Sequence, residues 1–172
     1  MSVLIVGTTA LDSIKTPTKE NPRLLGGSAS HAAVAASFFS KVKLVGGVGE
    51  DFPPKYIQLY KKHNIDLAGL QILPGKTFRW SGEYEVNMNN RRTLATELGV
   101  IETFQPKLPD HYQDAPFVLL GNIAPALQLS VLDQMKKPKF VVADSMDLWI
   151  NIALPDLLKL LKRVDAFVLN DS

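Results

Sequence analysis

The residues best suited to chemistry lie in Leu25 to Ala36, LGGSASHAAVAA, and at the ends of a few apolar runs. Gly26 and Gly27 let the backbone approach a ligand closely and take a positive φ. Ser28, Ser30 and His31 follow, and then Ala32, Ala33, Ala35 and Ala36 run on without a breaker. That order describes a tight turn opening a helix, with Ser28 as N-cap. A helix start presents free N–H groups and the positive end of its dipole to polar or anionic oxygens. The alternative is plain architecture, a turn followed by closely packed alanines. Asp12, the first carboxylate, stands just beyond the run Val3 to Gly7. Asn122 follows Phe117 to Leu120, and Asn170 follows Ala166 to Leu169. The carboxyl ends of strands are where open α/β sheets hold their ligands. Turn formation is the competing role for Asn122, and capping that for Asp12. For His31 the competing role is that of a satisfied buried histidine.

The elements that must carry these residues alternate. Val3 to Gly7, Val42 to Val45, Phe117 to Leu120, Phe140 to Ala143 and Ala166 to Leu169 are short apolar runs that read as buried parallel strands. Helices are expected over about 28–40, from Pro53 to about His63, over Ala126 to Met135 and over Pro155 to Arg163. Asp51 is expected to cap the second of these, and Leu157, Leu158, Leu160 and Leu161 to form the apolar stripe of the last. The fold class expected is α/β, a mainly parallel sheet flanked by helices with right-handed crossovers. Residues 13–24, polar and with two prolines, read as a loop or a poor edge excursion. Residues 70–100 break the rhythm. Phe78, Trp80, Gly82, Tyr84 and Val86 alternate with Arg79, Ser81, Glu83 and Glu85, a strand with one wet face and one apolar face. Asn87 to Asn90 read as a turn, and Arg91 to Leu98 as its return. The whole is a β excursion, a lid, a dimer surface or a small satellite core.

Bulk properties exclude several classes. Of 172 residues, 46% are hydrophobic and 21% charged, which suits a globular domain. A net charge of +2 with scattered lysines gives no nucleic-acid footprint. The absence of cysteine excludes disulfides, Cys-based zinc sites and thiol catalysis, and fits a reducing compartment. No secretory leader and no run of about 18 apolar residues is present, so a cytoplasmic protein without membrane contact is expected. His63 and His111 have no partner at metal spacing, and no metal site is expected. Arg91-Arg92 reads as a solvated pair.

The order of these pieces resembles the N-terminal part of the ribokinase-like family, the PfkB-type carbohydrate and nucleoside kinases. Four features carry the resemblance across essentially all 172 residues. They are the first strand with Asp12; Gly26-Gly27-Ser28-Ala29-Ser30-His31-Ala32-Ala33; Val48-Gly49-Glu50-Asp51, similar to a Gly-x-Asp turn; and Val168-Leu169-Asn170, similar to the start of Asn-x-x-Glu. There are departures. His31 replaces the signature asparagine. The spacing from Ser40 to Gly49 is one residue short. Asp144-Ser145-Met146-Asp147-Leu148 lacks the asparagine and arginine of an Asp-x-Asn-x-Arg strand end.

The resemblance implies that Asp12, Gly26, Gly27, His31 and, more weakly, Asn122 bind the hydroxyls of a sugar or nucleoside. It implies that Asn170 belongs to the phosphate region and that ATP and Mg2+ serve the complete protein. It also implies that the excursion closes over the acceptor and can form a homodimer contact. The family's Gly-x-Gly-Asp motif, which supplies the general base, the anion hole and the approach to the nucleotide site, has no counterpart in these residues. The expectation is therefore the substrate-side part of a kinase, inactive alone. A non-catalytic binding or scaffold domain is the alternative. A nucleotide-binding redox domain fits less well, because Gly7-Thr8-Thr9-Ala10 is not G-x-G-x-x-G.

Overall fold

The computed structural model describes residues 1–88 and 90–170. Residues 171 and 172, in the last expected turn, and Asn89, in the Asn87 to Asn90 turn, lie outside the described residues. The Met88 N–H donates to the Glu85 carbonyl at 2.9 Å, and the Glu85 N–H donates to the Asn90 carbonyl at 3.0 Å.

Apolar runs too short for helices become the strands of a parallel sheet. These are β1 (Ser2–Val6), β4 (Lys41–Gly49), β5 (Asp66–Leu73), β8 (Phe117–Leu120), β9 (Phe140–Asp144) and β10 (Ala166–Val168). Their order is β10-β9-β8-β1-β4-β5, every pairing parallel. Both faces are covered. Leu4 and Val6 point into a core with Val131, Leu132, Leu157 and Leu160, from α3 (Pro125–Gln134) and α5 (Leu154–Leu161). Ile5, one residue out of phase, points the other way toward Ala29, Ala33 and Tyr60, from α1 (Ser28–Ser37) and α2 (Pro54–Lys62). Alanines at 29 and 33 let α1 lie close to the sheet. Tyr60, fully buried, bonds Ser30 Oγ at 2.8 Å. A short helix, α4 (Asp147–Ile152), follows β9 and has no counterpart in the sequence reading.

A second sheet has the order β3-β2-β6-β7, from β2 (Ala10–Lys15), β3 (Glu20–Gly26), β6 (Arg79–Tyr84) and β7 (Arg91–Glu97). Of the two readings of residues 13–24, the edge excursion is the nearer: they hold the end of β2, a turn and most of β3, an antiparallel pair with β3 at the sheet edge. Long-range pairing of β2 with β6 stabilises them, which local polarity could not reveal. Leu70 to Leu73 belong to β5 in the main sheet, and the small sheet takes up the chain again at Arg79.

Two local expectations are corrected. Asp51 caps no helix. Its Oδ1 accepts the Thr77 N–H at 2.7 Å and the Thr77 hydroxyl at 2.8 Å, and Arg79 Nη2 reaches its Oδ2 at 2.5 Å. This latch ties the start of β6 to the end of β4. In α5 only Leu157 and Leu160 are buried, while Leu158 and Leu161 are exposed, because an i, i+3 pair faces the sheet.

Candidate acceptor cleft

Strand β1 is the point at which chain order reverses. β4 and β5 extend the sheet on one side, and β8, β9 and β10 on the other. The carboxyl ends of β1 and β8 therefore flank a switch-point crevice. The Gly121 N–H bonds the Val6 carbonyl at 2.6 Å there, and Ser28 Oγ fills the space over both Gly7 and Gly121. The second sheet stands over this crevice and closes one side. The result is a cleft of about 930 Å³ lined by Asp12, Gly27, His31, Asn122 and Asn170 together with aromatic side chains of β6 and its approach. Five of the residues singled out from sequence thus share one cavity.

Each is held by a traceable local cause. Gly27, the residue before α1, has φ 90°, a backbone that a side chain would strain. Gly26 is buried beneath Asp12. A Cβ there would fall inside the envelope of the Asp12 carboxylate, 2.9 Å from Oδ1 and closer to Cγ and Oδ2. Gly26 therefore acts by making room for the carboxylate. Burial raises the Asp12 pKa; His31 and the Gly27 N–H, both facing the carboxylate, oppose the rise. His31 is exposed on α1, not a buried core histidine.

The start of α1 differs from the expectation. Ser28 is the first helical residue, not the N-cap. Thr8 takes two of the N–H groups expected to be free. Ser28 N–H donates to Thr8 Oγ1 at 3.1 Å, and Ala29 N–H to the Thr8 carbonyl at 3.0 Å. Ser30 belongs to the core through Tyr60.

Asn122 is oriented by residues that sequence reasoning missed. Trp149 Nε1–H donates to its Oδ1 at 2.7 Å, and its amide reaches Met146 Sδ at 3.0 Å. Met146, Leu148 and Trp149 line the cleft. Asp144 also lines it, its pKa raised by burial against the opposing N–H groups of Ser145 and Asn122. The strand-end rule that selected Asp12 would have selected Asp144 too. Gln128, fully buried, donates Nε2 to the carbonyls of Leu120, Gly121 and Asp144, and so fastens the ends of β8 and β9.

The apolar face read in Phe78, Trp80 and Tyr84 looks into the cleft, and the charged face looks out. There Glu83 bonds Lys15 at 2.9 Å and Arg92 at 2.6 Å, while Arg91 lines the cleft. His111 meets Asp66 at 3.1 Å, remote from the cleft lining. Among the described residues no group of three His, Asp or Glu side chains could hold a metal ion. Nor is any helix among them long and apolar enough to cross a membrane.

A parallel six-stranded sheet with this order, flanked by helices and carrying a second small sheet over its switch point, defines the ribokinase-like fold. Ribokinase from Giardia lamblia superposes with a TM-score of 0.79 at 18% identity, over 99% of this chain and 57% of that one. The nucleoside kinase of Methanocaldococcus jannaschii, an archaeal member of the ribokinase family, gives a TM-score of 0.73 at 19% identity, over 99% and 60%. In sequence, the chain is 28% identical over 144 residues to the cytidine kinase of Thermococcus kodakarensis, covering 83% of this chain and 51% of that one. No family model matches. The chain thus resembles the N-terminal part of the ribokinase-family nucleoside and sugar kinases, and it spans about half the length of the curated relative it matches.

Proposed function

We propose that this chain forms the acceptor-binding part of an ATP-dependent kinase that transfers a phosphoryl group to a hydroxyl of a nucleoside or sugar. The observation that carries the reading is the convergence of Asp12, Gly27, His31 and Asn122 on one switch-point cleft beneath a second sheet. Phosphoryl transfer requires an oriented acceptor, a base and electrostatic help for the phosphate. This chain supplies the first. Asp12 accepts hydrogen bonds from acceptor hydroxyls, charge-assisted and hence strong. His31 offers a further polar group beside it, and Asn122 holds the far side. Asn170, which also lines the cleft, would serve the phosphate region. ATP, when bound, supplies the phosphoryl group; it and its magnesium are held mainly by parts of the complete protein beyond these residues. The second sheet excludes water over the acceptor and can pair with a second copy, and the protein works in the cytoplasm.

The test is calorimetric binding of ribose, cytidine and inosine to the 172-residue chain. At least one should bind, and Asp12→Ala should weaken it by about tenfold or more, the value of a charged hydrogen bond. Binding that Asp12→Ala leaves untouched, or no binding by any of the three, overturns the reading.

A further inference from the structure

Asp12 and Trp80 are register partners in the parallel β2–β6 pair, so their side chains share one face of the second sheet. Both line the cleft. The Trp80 indole is fixed from two directions. Its Nε1–H donates to Thr93 Oγ1 on β7 at 3.2 Å. Its ring lies across Gly82, where a Cβ would come within 2.7 Å of Cζ3 and nearer still to Cζ2 and Cη2. A side chain at position 82 would lift the ring off the sheet. The opposite wall is also largely apolar, from Met146, Leu148 and the anchored Trp149.

The cleft thus sets a carboxylate beside a flat, immobilised aromatic surface. A free pentose carries hydroxyls all round its ring and loses hydrogen bonds wherever it meets apolar walls. A nucleoside is divided in the way this cleft is divided, with hydroxyls on the ribose and an apolar π-face on the base. We infer that the cleft selects a nucleoside over a free sugar, with Trp80 as the platform on which the base stacks while Asp12 engages the ribose. The inference rests on the acceptor-site reading and adds the substrate class and the residue that sets it.

Base–aromatic stacking corresponds to roughly 5- to 150-fold in affinity. Calorimetry of the 172-residue chain with cytidine, inosine and ribose tests the assignment. One of the two nucleosides should bind about tenfold or more tightly than ribose, Trp80→Leu should remove most of that advantage, and ribose affinity should stay within about twofold. Trp80→Phe should keep much of the nucleoside affinity. Gly82→Ala, which displaces the ring without deleting it, should lower it, and these two variants decide the matter if Trp80→Leu does not fold. Ribose binding as tightly as the nucleosides, or a Trp80→Leu loss equal for both classes, overturns the stacking assignment and leaves the acceptor site standing. Binding by none of the three overturns both.

Discussion

Replacing Gly26 by alanine puts a methyl group where the Asp12 carboxylate now lies. The new carbon would sit 2.9 Å from Oδ1 and inside contact distance of Cγ and Oδ2. The three atoms nearest that methyl all belong to the Asp12 carboxyl, the end of a side chain, so it is the carboxylate that swings away. The φ of Gly26 is not in the left-handed region, so alanine meets no backbone strain there. Displacing Asp12 should cost the acceptor the charged hydrogen bond, about 1.5–3 kcal/mol, or roughly 10- to 150-fold in Kd. Gly26→Ala should therefore weaken binding as much as Asp12→Ala does. The double variant should be no weaker than Asp12→Ala alone, because both changes remove one interaction. Folding stability provides a second axis. Gly26→Ala should destabilise the parent, yet in the Asp12→Ala background, with the obstruction gone, it should be neutral or stabilising by about 0.5–1 kcal/mol. Calorimetric titration and urea denaturation of the four proteins read both quantities. Unchanged acceptor affinity in Gly26→Ala, or additive losses in the double variant, would refute the reasoning.

Three further outcomes follow from particular contacts. Asp51→Asn should cost roughly 1–2 kcal/mol at pH 7, since it removes the ion pair with Arg79 and weakens two hydrogen bonds from Thr77. Burial pushes the Asp51 carboxyl up, but Thr77 and Arg79 together outweigh it and hold the pKa below 3.8. The latch is then at full strength above that value and is lost as pH falls below it, so denaturation curves of parent and variant should converge on acidification below the ordinary carboxylate range. Tyr60→Phe should cost about 1–2 kcal/mol by leaving Ser30 Oγ buried without its partner, and adding Ser30→Ala should recover part of the loss in thermal denaturation. Gln128→Leu leaves three carbonyls at the ends of β8 and β9 without their shared donor and should cost about 2–3 kcal/mol, measured by urea titration.

The strands and helices of the main sheet, β5 and the short α4 apart, are legible in the sequence because their signals are local. Val3 to Gly7 and Phe117 to Leu120 read as buried strands by composition alone, and the structure pairs them side by side. Alternation in Phe78 to Tyr84 foretells which side chains look into the cleft, whereas Val86, past the end of β6, is exposed. Residues 13–24 are legible only as a loop or an edge excursion, since the pairing that makes them strands comes from β6, far along the chain. The carboxyl ends of strands led to Asp12, Asn122 and Asn170, and the glycine pair led to the helix that carries His31. No local pattern says that Gly26 serves Asp12, or that Thr8 occupies the first N–H groups of α1. Met146 and Trp149 reach Asn122 only through the short helix α4, whose six residues show too few turns for periodicity to register.

The parallel pairing of β2 with β6 has a consequence for how the chain assembles. The hairpin of β2 and β3 can form as soon as it is synthesised, but one border of β2 stays bare until β4, α2 and β5 have been laid down and residues 79–84 arrive. Joining segments so distant in the chain is slow, because the intervening loop must be ordered before the contact is rewarded. During that interval the bare border is a template for the same strand of another nascent copy. Exchange of β6 and β7 between two chains is therefore the characteristic misassembly to expect when this protein refolds at high concentration.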